Sequence, residues 1–150
     1  MPAIKVKKLD ERAVLPAYGS EYAAGADLYA VSDGAITFLP GETKFVHTGL
    51  AMEIPVGYAG LVYARSGLAT KRGLAPANKV GVIDADYRGE IMVALHNHSE
   101  KEQTIESGER IAQLVVTPFL KVEYTEAESL SDTARGEGGF GSTGKKKYSE

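Results

Sequence analysis

The sequence predicts an all-β fold: a jelly-roll-like antiparallel sandwich or barrel with one short helix and a flexible glycine-rich C-terminal tail. Three observations carry this. Short β-rich runs recur along the chain, turn signals separate them at the spacing of antiparallel strands, and no comparable helical segment appears. The runs cover residues 4–7, 35–39, 44–54, 60–65, 90–97 and 110–124.

In chain order, the run at 35–39 lies between Asp33-Gly34 and Pro40-Gly41, and 44–54 stops at Pro55-Val56-Gly57. Arg88-Gly89 introduces 90–97, and Ser107-Gly108 introduces 110–124. Glycine allows the positive φ of tight turns, and proline fixes φ while removing a ladder donor. The one interruption is residues 66–73, where Ser66 is placed to cap a two-turn helix that Gly73 ends. That helix starts directly after Arg65. Residues 125–134 are acidic and polar, a linker between a domain at 1–124 and a tail at 135–150.

A chain of 150 residues is about one domain, enough for a core without disulfides or a structural metal. The net charge of -3 supplies no positive field for a nucleic-acid polymer. Cysteine is absent, which excludes disulfides, thiolate catalysis and Cys-ligated zinc and fits a reducing compartment. His47, His96 and His98 lack metal-ligand spacing, and no apolar run is long enough to span a membrane. These features point to the cytoplasm, where the sequon Asn97-His98-Ser99 is a coincidence.

The tail contains G-x-G-x-x-G twice and, from Gly139 to Lys145, G-x-x-x-x-G-K. A dinucleotide fingerprint must open a helix and a Walker loop needs Ser or Thr after its Lys, but Lys146, Lys147 and Tyr148 follow. Its composition also fits a disordered tail. Arg135 and Phe140, set among residues that expose backbone N–H groups, instead describe a lid over a base and a phosphate.

Three further constellations belong to the body. Arg65-Ser66-Gly67, between a strand and the helix, gathers a guanidinium, a hydroxyl and free N–H groups into an anion site; an ordinary cap beside a surface arginine is the plainer reading. The turn holding Asp84, Asp86 and Tyr87 can carry a general base, or be a turn with a solvated Asp86–Arg88 pair. Asp27 and Gln113 are isolated polar residues among small and apolar neighbours.

Taken together, AGADL (24–28), ARSGLA (64–69), GVIDADYRGE (81–90), GERIAQL (108–114) and RGEGGFGSTG (135–144) resemble the signature motifs of the trimeric dUTPases, dUTP nucleotidohydrolases, over essentially the whole chain. Ala64 departs from the proline the family often has there, which affects loop stiffness. The resemblance implies cleavage of dUTP to dUMP and pyrophosphate with Mg2+ held mainly by the triphosphate and water. It implies that Asp27 and Gln113 lie near that water shell and that Arg65, Ser66 and Gly67 bind phosphates. Asp84 matches the carboxylate that deprotonates the attacking water, and Tyr87 the ring under the deoxyribose. Asn78, Val82, Ile83 and Met92 match positions around uracil and sugar; Phe140 matches the ring stacked on the base, and Arg135, Ser142 and Thr143 the γ-phosphate contacts. A homotrimer with shared sites is implied as well. Other readings are a dCTP deaminase of the same fold, a nucleotide-gated regulatory protein and a jelly-roll structural subunit.

Overall fold

The computed structural model describes residues 1–144; the end of the expected tail, residues 145–150, lies outside them. Strands β1 (Lys5–Lys8), β2 (Ala17–Tyr18), β3 (Ala26–Tyr29), β4 (Ile36–Phe38), β5 (Thr43–His47), β6 (Leu50–Glu53) and β7 (Tyr58–Tyr63) precede helix α1 (Ser66–Lys71). After it come β8 (Leu74–Pro76), β9 (Gly81–Ile83), β10 (Met92–Asn97), β11 (Gln103–Ile105) and β12 (Arg110–Pro118). All pairings are antiparallel: a five-stranded sheet β2-β3-β12-β7-β9, a three-stranded sheet β5-β10-β8, and the pairs β1-β6 and β11-β4. This is the all-β, jelly-roll-like architecture that the sequence predicts.

Differences from the expected elements have local causes. The run at 44–54 splits into β5 and β6 because Gly49, at φ +67°, turns the chain between them. The run at 110–124 ends as a strand at Pro118, and the apolar residues beyond it, such as Leu120 and Tyr124, stay exposed. Strands β2, β3, β8, β9 and β11 have 2 to 4 residues each, too few to show a period. Ser66 is not the helix cap. Arg65 holds that position in extended geometry (φ -91°, ψ 132°) without a side-chain cap bond, its guanidinium being tied to Asp27, and Ser66 is the first helical residue. Gly73, at φ +69°, ends the helix as expected, and its bare Cα sits where a Cβ would meet that of Ser99 at 2.6 Å.

The core between the sheets includes Leu28, Phe38, Val46, Leu74, Leu95 and Ile111, all fully buried. Each such side chain contributes about 1.5–3 kcal/mol by leaving water. Truncating Leu28 to alanine would also open a cavity beneath the Asp27 strand, at a cost of about 2–5 kcal/mol. Asn97 is fully buried and joins three segments. Its Nδ2 donates to the carbonyls of Phe38 (3.0 Å) and Lys101 (2.7 Å), and its Oδ1 accepts from the N–H (3.0 Å) and hydroxyl (2.8 Å) of Ser99. The sequon asparagine is thus a structural tie with a fully engaged amide.

Strand β12 positions the site. It lies between β3 and β7, so Gln113 stands opposite Asp27 on one side and Tyr63 on the other. Three distant stretches, 24–28, 63–67 and 110–114, become neighbours through this register.

Candidate active site

Asp27, Arg65, Ser66, Gly67 and Gln113 line one cavity of 260 Å³ together with Arg110. The Asp27 carboxylate is mostly buried, its Oδ1 accepting from Arg65 Nε at 2.9 Å and its Oδ2 from Arg110 at 3.4 Å. The three groups carry one negative and two positive charges, so the cavity keeps a net positive charge suited to an anion. The carboxylate fixes both guanidinium groups before any ligand arrives. Gln113 Nε2 donates to the Ala64 carbonyl at 2.9 Å and so braces the loop that presents Arg65. Gly25 makes room for it: a Cβ there would lie 2.4 Å from Gln113 Oε1.

A second cleft, of 280 Å³, is lined by β9, at the edge of the five-stranded sheet, and by the three-stranded sheet β5-β10-β8. Val82 and Ile83 of β9, Met92 of β10 and Phe45 of the adjacent β5 give it a largely apolar lining, to which Asn78, from the turn before β9, adds an amide. Asp84 and Tyr87 stand at its lip. The turn that carries them closes with a Tyr87 N–H to Asp84 carbonyl bond of 3.2 Å. The Tyr87 hydroxyl donates to the Glu90 carbonyl at 2.8 Å, and its ring lies so close over Gly89 that a Cβ there would meet the hydroxyl at 2.5 Å. The ring is therefore pinned at its far end while its face stays partly exposed.

The single chain brings the expected residues into two clusters that share no lining residue. The tail residues join neither. Arg135 Nε donates to the Gly138 carbonyl at 2.8 Å, the Gly136 N–H donates to Thr133 Oγ1 at 3.0 Å, and Phe140, Ser142 and Thr143 are exposed. Phe140 has a φ of +51°, a backbone geometry uncommon for a bulky residue.

Sequence reasoning did not single out Arg110 or Glu90. Strict alternation places Arg110 on the face opposite Gln113, three residues away. A register shift between Arg110 and Ala112 brings both onto the Asp27 cavity. Glu90 lines the second cleft and pairs through Oε2 with His47 Nδ1 on β5, a contact 43 residues away in sequence. Among the described residues, no three His, Cys, Asp or Glu side chains converge as a metal cluster, and no helix is long and apolar enough to cross a membrane.

The dUTPase family model matches residues 11–144. The chain belongs to the dUTPase family. Among its relatives, the deoxyuridine 5'-triphosphate nucleotidohydrolase of Hydrogenobaculum sp. is 54% identical over 141 residues, which cover 94% of this chain and 97% of the relative. That of Nautilia profundicola is 51% identical over 142 residues, 95% of this chain and 99% of the relative. Among solved structures, the Staphylococcus bacteriophage 80alpha dUTPase with dUpNHpp aligns with a TM-score of 0.89 at 31% identity, over 96% of this chain and 99% of the phage chain. Matches of this coverage span both clusters and the tail, so the dUTPase motifs lie within the aligned body and not in an appended segment.

Proposed function

We propose that this chain hydrolyses dUTP to dUMP and pyrophosphate, which lowers dUTP and supplies the precursor of dTMP. The observation that carries the reading is the apolar cleft with Asp84 and the pinned ring of Tyr87 at its lip. A nucleoside seated there leaves its phosphates at the rim. The names of the relatives, all deoxyuridine 5'-triphosphate nucleotidohydrolases, support the same substrate.

Asn78 and the backbone around Val82 and Ile83 meet the base edge, with Met92 against the sugar. Tyr87 packs under the deoxyribose, where a 2'-hydroxyl would clash, and Asp84 also contacts the 3'-hydroxyl. The Asp84 carboxylate orients a water and takes its proton as the oxygen attacks the α-phosphorus. The bond from that phosphorus to the β-phosphate oxygen breaks, and pyrophosphate leaves. A positioned base of this kind contributes about 10²- to 10⁴-fold. Arg65, Ser66 and Gly67 take up charge on the phosphates, and Arg135, Ser142 and Thr143 close on the γ-phosphate while Phe140 stacks on the uracil. Residues 1–124 are then the catalytic body, 125–134 the linker and 135–150 the lid.

A divalent ion, Mg2+ in our reading, fits this donor set in one way. Magnesium requires about six oxygens, whereas the phosphate cavity offers one carboxylate, already bonded to two arginines, and the amide oxygen of Gln113. Asp27 and Gln113 would therefore hold it through water, on a triphosphate that supplies most of its ligands. When bound it would neutralise charge on the phosphates under attack.

The separation of the two clusters supports a homotrimer in which each site is completed by neighbouring chains. Exposed apolar residues fit such burial: Val82 and Met92 at the cleft, and Leu120, Tyr124 and Leu130 along the segment leading to the lid. The cytoplasm is the proposed compartment, with neither a nucleic-acid polymer nor a membrane as partner.

Pyrophosphate release from dUTP, UTP, dCTP and dTTP, with ammonia release from dCTP alongside, tests the assignment. We expect dUTP to be preferred by orders of magnitude. Turnover of UTP at a comparable rate would refute the role of Tyr87, and ammonia from dCTP would replace the reading with a deaminase.

A further inference from the structure

The turn from Asp84 to Glu90 is held from behind by a group that the proposed chemistry does not use. His47, at the end of β5, stands opposite Met92 in the β5-β10 register, and its Nδ1 meets the Glu90 carboxylate. Glu90 is mostly buried at its side chain, whereas His47 is largely exposed. The main-chain carbonyl of the same Glu90 accepts the Tyr87 hydroxyl at 2.8 Å. One residue thus receives a bond at each end: its carboxylate from the neighbouring strand, its carbonyl from the ring.

Glu90 also borders both the nucleoside cleft and a separate polar cleft formed by Asp10, Arg12, Asp33 and His47. Those other charged groups are occupied among themselves, since Arg12 bonds Asp10 at 2.7 Å and Asp33 at 2.9 Å. Glu90 is therefore left to His47. The backbone on its C-terminal side is fixed independently, because the Ile91 N–H donates to the Leu50 carbonyl at 2.7 Å. On its N-terminal side, Gly89 adds no side chain that could stiffen the turn. The Glu90 carbonyl shares one planar peptide with the Ile91 N–H, so the Leu50 bond is its backbone anchor. Without the pairing of Glu90 to His47, the residue can rock on that single anchor and carry the acceptor of the tyrosine hydroxyl with it.

We propose that His47 and Glu90 form a latch that positions Tyr87, and that this latch, together with the ring itself, sets discrimination at the 2'-position of the sugar. Both are positioning residues: His47 acts on Glu90, and Glu90 acts on the tyrosine. The proposal rests on the reading of the cleft as a deoxyribonucleoside site. A ring fixed at both ends presents a rigid face, so an added 2'-hydroxyl meets a wall. A ring whose hydroxyl partner moves can tilt and admit the larger sugar. Asp84 lies at the other end of the turn, and its attachment to β9 does not depend on the latch.

The test uses the full-length chain and three variants, His47→Ala, His47→Asn and Glu90→Ala. Asparagine places an amide N–H near the position of Nδ1 and keeps a donor for Glu90; alanine does not. For each protein, kcat and KM are measured with dUTP and with UTP. His47→Ala and Glu90→Ala are expected to lower the dUTP-to-UTP ratio of kcat/KM about three- to tenfold, the scale of one net hydrogen bond. In His47→Ala, where the substituted residue lies outside the nucleoside cleft, the loss should come mainly from better use of UTP, with kcat on dUTP within about twofold of wild type, and His47→Asn should recover most of the ratio. Unchanged ratios in both alanine variants, or a deficit that asparagine does not reduce, would overturn the latch.

A second measurement separates this outcome from failure of the functional reading. The 13C resonance of the Tyr87 ring carbon bearing the hydroxyl, assigned with Tyr87→Phe, reports its hydrogen bond without turnover. It should shift toward the free phenol in His47→Ala and return in His47→Asn, while the other tyrosines stay in place. If wild type leaves dUTP untouched, the functional reading falls and this resonance alone judges the latch; a signal unmoved in His47→Ala refutes it.

Discussion

Replacing Gly25 with alanine tests whether the braced Gln113 holds the phosphate cavity together. The new Cβ would lie 2.4 Å from Gln113 Oε1, 3.0 Å from Cδ and 3.1 Å from Cβ. The amide can swing away from the first two contacts, but the Cβ is tied to β12 and cannot. Swinging breaks the 2.9 Å bond to the Ala64 carbonyl, a net loss of about 0.5–1.5 kcal/mol. Leaving the preferred rotamer costs about 0.5–1.5 kcal/mol more. The expected destabilisation is about 1–3 kcal/mol, and at about 2–4 °C per kcal/mol for a chain of this size it lowers Tm by about 2–12 °C. The control is Gly34→Ala, because a Cβ at Gly34 meets nothing within 4 Å; it absorbs the entropic gain of about 0.4–1 kcal/mol that alanine brings by restricting the unfolded chain. Thermal unfolding of both variants gives the stability difference, and calorimetric titration with pyrophosphate should show weaker binding only for Gly25→Ala. If the two variants melt together and bind alike, Gln113 is not a brace and the crowding at Gly25 is relieved without consequence.

Asp84→Asn should retain nucleotide affinity while kcat collapses, because the amide can hydrogen-bond water but cannot take its proton; single-turnover kinetics within a few-fold of wild type would exclude Asp84 as the base. Phe140→Ala should lose about 1–3 kcal/mol of base stacking without a change in Tm, and an unchanged kcat/KM would remove the tail from the site. Co-refolding Asp84→Asn with a chain truncated after Thr133 should restore about one quarter of sites if Asp84 and the lid come from different chains around a closed ring; a mixture as inactive as its parents would place both in one chain. Asp10 should titrate at about 2 instead of 3.8, held down by hydrogen bonds from Arg12. Its contribution is therefore complete above 3.8 and is lost as pH falls through about 2. NMR titration checks the value, which Arg12→Ala should return toward 3.8.

The longer strands were legible because their apolar runs are bounded by Pro and Gly turns. Strand β9 was not: only Gly81–Ile83 pair, and that pairing depends on β7 lying alongside. Apolar character also misled where no sheet receives it, as at residues 119–124. At the site, Asp84 and Tyr87 stood out because both occupy one short turn, and Asp27 because a lone carboxylate among small apolar residues requires a partner. Its partners were less visible. Arg65 lies 38 residues away and Arg110 lies 83 away, and the latter reaches the cavity only through a register shift that leaves no mark in the composition. The His47–Glu90 pair was hidden in the same way, by a strand pairing that no local pattern encodes.

The engaged amide of Asn97 determines how this protein can be produced. An oligosaccharyltransferase acts on an extended acceptor as the chain emerges, before residues 98–101 have folded around that nitrogen. In a eukaryotic secretory host the sequon would therefore be modified first and folded second. A glycan on Nδ2 would remove a donor that bridges Phe38 and Lys101 and place a bulky sugar inside the closed sandwich. Secretion should then divide the product into unglycosylated, native molecules and glycosylated, misassembled ones. Ser99→Ala would abolish the acceptor motif while leaving the Asn97 side chain in place, at the cost of the bonds that the Ser99 hydroxyl makes to Asn97, Lys101 and Gln103.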